Sequence, residues 1–355
     1  MYIIVAILLF GVLIAVHEWG HFIAARICGV TVHEFAIGMG PVLWQREGKK
    51  GTMFSLRALP IGGFCAMEGE QEESDDPHSL SNQSFWKKVF VFAAGAGMNF
   101  VLGFVLIALV NANAGAYRTA EITGFAPEFT LLGEDGLMEG DILYSIDGER
   151  IYTFSDVSLF LGRGNGTDFD LVVLRDGEKV VLENFPMVLQ QCTDSQSGEK
   201  YTGFGLYFAG VEEATFVTKL KQSWYSSVDF VRLVIYSLKE LVRGNAGMND
   251  LSGPIGIVST ISEVGESSPT VFDAVLNIAY FGSMIAMNLA VFNLLPIPAL
   301  DGGHIFFLLI ATAVEKVTGK KIPMKYEAVI NAVFLALLMA LMVFVAFNDV
   351  RKLIG

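Results

Sequence analysis

Four stretches of this 355-residue chain are long, apolar and free of charge, and that pattern restricts the fold more than any other feature. Met1 to Val16 carries no charged side chain and runs on through HEWGH, Phe22 and Ala25; Val89 to Val110, Val275 to Leu295 and Ala328 to Phe347 follow. Each approaches the roughly 20 residues a helix needs to cross a bilayer, where only helices and closed barrels satisfy their own backbone. The chain reads as a polytopic α-helical membrane protein of about four transmembrane helices. No basic residue precedes the first run and no small-residue cleavage site follows it, so it reads as a span and not as a secretory signal.

Charge locates the parts outside the bilayer. The net charge of −13 comes from 24 Lys+Arg and 37 Asp+Glu, and Asn111 to Thr215 alone holds 18 Asp+Glu against 6 Lys+Arg. One acidic, water-facing segment is therefore inserted into a nearly neutral membrane body. Lys and Arg in short loops set orientation. Arg26 to Lys88 holds seven and Leu300 to Lys325 holds four, so both loops are expected on the cytoplasmic side. The connection between spans two and three, about 160 residues, can translocate whatever its charge. The acidic segment and both termini are then expected outside, although Arg351 and Lys352 favour the other side. Excess acid also argues against DNA or RNA as a partner, since binding polyanions needs clustered Lys and Arg. Cys28, Cys65 and Cys192 have no CxxC spacing and suggest neither a disulfide framework nor a thiolate metal site.

The first span contains His17-Glu18-Trp19-Gly20-His21. On a helix this HExxH places two imidazoles on one face, able to chelate one Zn²⁺ while the intervening Glu reaches a metal-bound water. Ionisable groups at membrane depth are costly and point to function. His17 stands roughly 24 Å along the helix axis, near the cytoplasmic end of the hydrocarbon. A catalytic zinc usually takes three protein ligands and keeps a position open. Asp301, in NLLPIPALDGG after the third span, is the best candidate for the third ligand, because spans one and three run the same way and emerge at one membrane face. Asp301 could also be a helix N-cap eased by Gly302 and Gly303. His304 lies one turn beyond and reads as a side chain that backs the ligands or packs in the core; His33 and His78 read as surface residues.

HEWGH together with the N-x-x-P-x-x-x-x-D-G run from Asn293 to Gly302 resembles the site-2 protease (M50) family, in its bacterial RseP/RasP-type branch with an inserted PDZ domain. FAIGMGP (Phe35 to Pro41), LPIGGF (Leu59 to Phe64), AAGAGMNF (Ala93 to Phe100) and SGPIGI (Ser252 to Ile257) match as well, with Ala96 standing where the family commonly has Pro. The resemblance implies zinc on His17, His21 and Asp301, Glu18 as base, and Asn293 as a polar group contacting the substrate or its oxyanion.

Between spans one and two, Phe35, Ile37 and Met39 alternate with small residues and Phe54, Leu56 and Ala58 alternate again, separated by EGKKG at Glu47 to Gly51. This predicts a β-hairpin. It is either re-entrant beside the metal, offering a strand edge to an unwound substrate, or an ordinary cytoplasmic hairpin. Within the acidic segment, Gly136 to Gly148 looks like the glycine- and aspartate-punctuated core of bacterial PDZ domains, which implies an α+β PDZ domain at 117–210 centred on Glu121 to Pro186. FTLLGED (Phe129 to Asp135) replaces the usual small-residue stretch upstream, leaving open whether the domain binds peptide or only filters by size. Val217, Leu220, Trp224, Val228, Val231, Ile235, Leu238 and Val242 recur at three- and four-residue spacing among Lys and Arg. That predicts an amphipathic helix at 216–245, lying on the outer membrane surface or packed on the PDZ domain.

The expected organisation is a membrane half at 1–110, the PDZ domain at 117–210, the surface helix at 216–245 and a second membrane half at 250–355. The expected activity is zinc-dependent intramembrane endoproteolysis of single-span proteins such as anti-sigma factors or remnant signal peptides, in the cytoplasmic (inner) membrane of a bacterium. The expected partners are membrane-spanning peptide substrates and the lipid bilayer. A PDZ-bearing membrane adaptor with a non-catalytic metal site and an ion transporter are the competing readings. Oligomeric state is not legible.

Overall fold

The computed structural model describes residues 2–70, 72–163, 167–193, 198–244 and 253–354. The expected boundaries at 245 and 250, Gln71 of the acidic loop and Ser252 of SGPIGI lie outside them. The chain divides into two compact units, Met1–Val110 with Phe230–Gly355, and Asn111–Asp229.

In the first unit, α1 (Tyr2–Cys28) leads into β1 (Val32–Glu47) and β2 (Met53–Met67), and α2 (Phe85–Ala112) follows. The expected hairpin is present, but it is not one flat ladder. Glu34 pairs with both Ala66 and Met53, and Phe35 with both Cys65 and Phe54, while Trp44 to Glu47 pair with Leu56 to Met53. The two long strands therefore fold back into four segments in the order 42–47, 53–57, 32–37, 63–67, the two outer pairs antiparallel and the middle pair running side by side in the same direction, from Glu34 opposite Met53 to Ile37 opposite Leu56. Gly38, Gly40 and Gly62 take φ of +86°, +84° and +84°, the region where a side chain is strained, and they make the bends. The segment 63–67 is left as an edge.

In the second unit the strands are β3 (Ala116–Arg118), β4 (Gly124–Phe125), β5 (Ile142–Ile146) and β6 (Glu149–Arg150). After α3 (Phe154–Leu161) come β7 (Phe169–Arg175), β8 (Glu178–Phe185), β9 (Gln190–Thr193), β10 (Lys200–Gly203), β11 (Leu206–Tyr207) and β12 (Val211–Glu213). One sheet has the order β6-β5-β7-β8. Its two tight turns are Asp147-Gly148 and Asp176-Gly177, both residues of each at positive φ, as a two-residue hairpin requires. Fully buried Asp141 accepts two hydrogen bonds from Arg175, which also donates to the carbonyls of Glu134 and Gly136. This fixes the glycine-rich entry to β5. β3 pairs with β12, so the unit's two ends meet.

The chain then forms α4 (Phe216–Arg243), α5 (Pro254–Ser267), α6 (Val271–Asn293), α7 (Asp301–Thr318) and α8 (Met324–Ile354). On α4 the apolar stripe expected from sequence is divided: Val217, Leu220, Trp224, Ile235 and Val242 are exposed, while Val228, Val231 and Leu238 are half-buried and Val231 packs against Phe230 and Ile107. The buried stripe is Ser223, Ser227, Phe230 and Val234, because serine hydroxyls can satisfy themselves on the preceding turn and let the helix approach closely. Phe230 packs with Ile107 and Met287.

Four helices among the described residues, α1, α2, α6 and α8, are long and apolar enough to cross a membrane. Ala6 and Leu13 of α1 pack on Ile261 of α5 and Ile278, Ile285 and Ala286 of α6. Ala24, Ala25 and Cys28 pack with Val32, Cys65 and Met67 of the hairpin and Val91 of α2. The HExxH turn is thereby clasped between hairpin, α2 and α6.

Candidate metal centre

Helical spacing puts His17 and His21 on one face of α1, and the Nε2 atoms stand 3.2 Å apart. Asp301 opens α7. It is the first helical residue and not the N-cap, a place taken by Leu300. Its Oδ2 lies 3.3 Å from His17 Nε2 and 3.4 Å from His21 Nε2, buried and without a hydrogen-bond partner among the described residues. The three atoms thus form a nearly equilateral triangle. Ligand atoms held ~2.0–2.1 Å from a tetrahedral zinc stand about 3.3 Å apart, so two imidazoles and a carboxylate in this array fit Zn²⁺ with its fourth position free. An orphaned carboxylate oxygen aimed at two imidazole nitrogens is the arrangement that a cation resolves.

The loop before Asp301 is shaped by its own sequence. Ala299 takes φ +72°, its amide donating to Asn331 Oδ1 of α8 at 3.0 Å. A side chain on Gly302 or Gly303 would collide with the carbonyls of Leu295 and Ile297, so the two glycines let the loop fold onto the first turn of α7. The helix N-terminus beside Asp301 favours its negative charge.

The three ligand candidates and Glu18 line a cavity of about 710 Å³, together with Phe64 to Met67 of the edge segment and Glu70. Gly63 of that segment lies against Glu18, where a Cβ would stand 3.2 Å from Glu18 Cγ. Burial holds the Glu70 carboxyl above its ordinary range. Asn293 ends α6 with its Nδ2 3.5 Å from His17 Nδ1. His304 also lines the cavity, but its Nδ1 pairs with Glu327 at 2.8 Å and its ring stacks on Phe92, so it backs the centre without joining the triangle. His33 and His78 are exposed, bonded to Glu68 and to the Gly29 carbonyl.

Sequence reasoning matched AAGAGMNF of α2 to the family but gave its residues no role at the metal. His21 Nδ1 lies 2.8 Å from the Val91 carbonyl, which fixes its ring with Nε2 toward the centre. A Cβ on Gly95 would lie 2.7 Å from His17 Cε1 and closer still to His21 Nε2, so only glycine leaves room for the imidazoles. Asn99, 1% exposed, brings its carboxamide to 3.3 Å from His17 Nδ1. The signal was the four-residue spacing within AAGAGMNF, which puts Gly95 and Asn99 on one helix face.

Comparison with known proteins agrees with this chemistry. A model of peptidase family M50 matches residues 5–341. A provisionally named zinc metalloprotease of Clostridium perfringens is 36% identical over 351 residues, covering 99% of this chain and 98% of the relative. A second such protein, of Clostridium acetobutylicum, is 34% identical over 350 residues, 98% of this chain and 97% of the relative. The regulator of sigma-W protease RasP of Bacillus subtilis is 26% identical over 432 residues, 99% of this chain and 98% of the relative. With a family match running from the first span into the last and relatives aligned from end to end, this membrane chain belongs to peptidase family M50 and is a zinc metalloprotease.

Proposed function

We propose that this metalloprotease is an intramembrane endopeptidase that hydrolyses the transmembrane segments of single-span proteins, with zinc on His17, His21 and Asp301, Glu18 as the proton carrier and Asn293 as a substrate contact. The observation that carries the reading is the ligand triangle with Glu18 beside it, in one cavity at the end of a membrane-length helix. Bound zinc supplies Lewis-acid polarisation of the scissile carbonyl and acidification of water. The Glu18 carboxylate takes a proton as water adds to the carbonyl carbon, then delivers it to the amide nitrogen as the C–N bond breaks. The Asn293 carboxamide donates to the carbonyl oxygen as charge develops there.

A helical substrate must unwind before its carbonyl can be reached, and the edge segment 63–67, which lines the cavity, offers backbone groups for pairing with an extended stretch. This favours the re-entrant reading of the hairpin. The loop charges support a cytoplasmic (inner) membrane location in a bacterium, with the active site near the cytoplasmic face and both termini outside. The PDZ-like pattern at 136–148 supports a PDZ domain at 117–210 on the outer side, acting as a filter against substrates that keep a folded outer domain. The exposed apolar face of α4 supports contact with the bilayer surface. The likeness to a regulator of sigma-W protease supports an anti-sigma factor as substrate; a remnant signal peptide fits the same chemistry.

The test is a cleavage assay on a model transmembrane peptide with zinc content measured in parallel. Glu18→Gln retains zinc and loses turnover by orders of magnitude, whereas His17→Ala and Asp301→Ala lose metal as well. A Glu18→Gln enzyme cutting at the wild-type rate would end the proposal.

A further inference from the structure

The two imidazoles of the centre are held from behind by one face of α2. Val91, Gly95 and Asn99 stand at i, i+4 and i+8. The Val91 carbonyl meets His21 Nδ1, Gly95 makes room for both rings, and Asn99 meets His17 Nδ1. His21 therefore has an acceptor that keeps its hydrogen on Nδ1 and its Nε2 lone pair toward the metal. His17 needs the same, because an imidazole ligating through Nε2 carries its hydrogen on Nδ1, and that N–H requires an oxygen; the Gly95 carbonyl approaches this ring, and a side-chain acceptor beside it would fix the ring in place. The nearest carboxamide is that of Asn99, whose Nδ2 faces Nδ1 at 3.3 Å while its Oδ1 is buried with no hydrogen-bond partner among the described residues. The two ends of a carboxamide have nearly the same shape, and a half turn about its last bond exchanges them. That single rotation gives the His17 N–H an acceptor and puts the stranded oxygen to use.

We infer that Asn99 is a positioning residue of the metal centre, its carboxamide oxygen accepting the Nδ1 hydrogen of His17 and holding Nε2 toward the zinc. The inference rests on His17 being a zinc ligand. Asn293 is the other carboxamide near this nitrogen, at 3.5 Å. It is the more distant of the two and only partly buried, and one N–H is satisfied by one good acceptor. Asn99 then serves the ligand and leaves Asn293 to the substrate.

The experiment is a zinc titration of the purified full-length protein against a competing chelator, with the visible spectrum of the cobalt-substituted protein as second readout. The variants are Asn99→Leu, Asn99→Asp, Asn293→Ala and His17→Ala. Asn99→Leu removes the acceptor and should weaken zinc binding about 10- to 100-fold, the usual effect of losing the partner of a ligating histidine. Asn99→Asp keeps an acceptor and no donor, and should restore most of that affinity together with the tetrahedral cobalt bands. Asn293→Ala should bind zinc as the wild type does. Wild-type affinity in Asn99→Leu would overturn the inference, and so would a folded Asn99→Asp that binds as weakly as Asn99→Leu. If Asn99→Leu fails to fold, the Asn99→Asp titration decides alone. Wild-type affinity in His17→Ala would remove His17 from the ligand set, and the inference with it; loss of zinc there with none in Asn99→Leu would sink only the role of Asn99.

Discussion

At the scale of single residues the centre depends on atoms that are missing as much as on those present. His17 and His21 approach α2 where Gly95 has no side chain, and a Cβ there would occupy the space of the imidazoles. Gly95→Ala should therefore displace the rings and lower zinc affinity, with overpacking strain of about 1–3 kcal/mol. Gly97, two residues along the same helix, faces open space, with nothing within 4 Å of where a Cβ would stand. Gly97→Ala should leave zinc binding unchanged and raise thermal stability slightly, since alanine is favoured over glycine in a helix by about 1 kcal/mol. Zinc content and thermal midpoints of the two variants separate the explanations: equal loss of zinc in both would mean that helix flexibility, not space beside the imidazoles, is what glycine supplies.

At the scale of elements, a helix that carries none of the three candidate ligands braces one that does. α8 is apolar through its middle, with none of its most hydrophobic window buried within the protein, and it makes polar contacts nearer its ends through Glu327, Asn331 and Asp349. Glu327 and Asn331, one turn apart, reach His304 and the Ala299 amide, and so brace the start of α7 where Asp301 sits. Asp349, 3% exposed, accepts from the amides of Gly253 at 3.2 Å and Gly256 at 2.9 Å, capping the N-terminus of α5. A side chain on Gly253 would collide with that carboxylate, which accounts for one glycine of the SGPIGI run. Asp349→Ala strands two amides and should cost about 1–3 kcal/mol, read as a lowered thermal midpoint with zinc content preserved. An unchanged midpoint would show that the amides find other partners.

At the scale of the whole molecule, every residue assigned to the chemistry lies in the first unit, and none between Asn111 and Asp229. If the segment at 117–210 filters substrates by size, its removal should cost discrimination and not turnover. The pairing of Arg118 with Val211 shows where to cut, since replacing 119–210 by a two-residue Asn-Gly turn joins strands that are already neighbours. The expected outcome is cleavage of full-length substrates that the intact enzyme spares, with the rate on short substrates preserved. The measurement is the ratio of the two rates. An unchanged ratio would rule out filtering, and loss of cleavage of short substrates would make the segment a docking module.

The sequence by itself determined the parts whose physics is local or additive. A bilayer demands long uncharged helices, so the four membrane-length helices among the described residues were legible from the apolar runs alone. The i, i+4 geometry of a helix made the metal-binding potential of HEWGH legible without any neighbour. Asp301 could be nominated because span parity is a counting argument. The tertiary structure decided what depends on which surfaces meet. The apolar spacing of α4 marked an amphipathic helix, but much of that stripe stays exposed and the most buried line runs through Ser223, Ser227, Phe230 and Val234, since self-satisfied serines allow close packing. Alternation announced a hairpin, but three glycines at positive φ folded it into four segments and left 63–67 as the edge beside the cavity. Gly95 and Asn99 had no signal of their own strong enough to mark them. A missing side chain and a buried amide acquire meaning only when another helix, distant in sequence, brings two imidazoles against them.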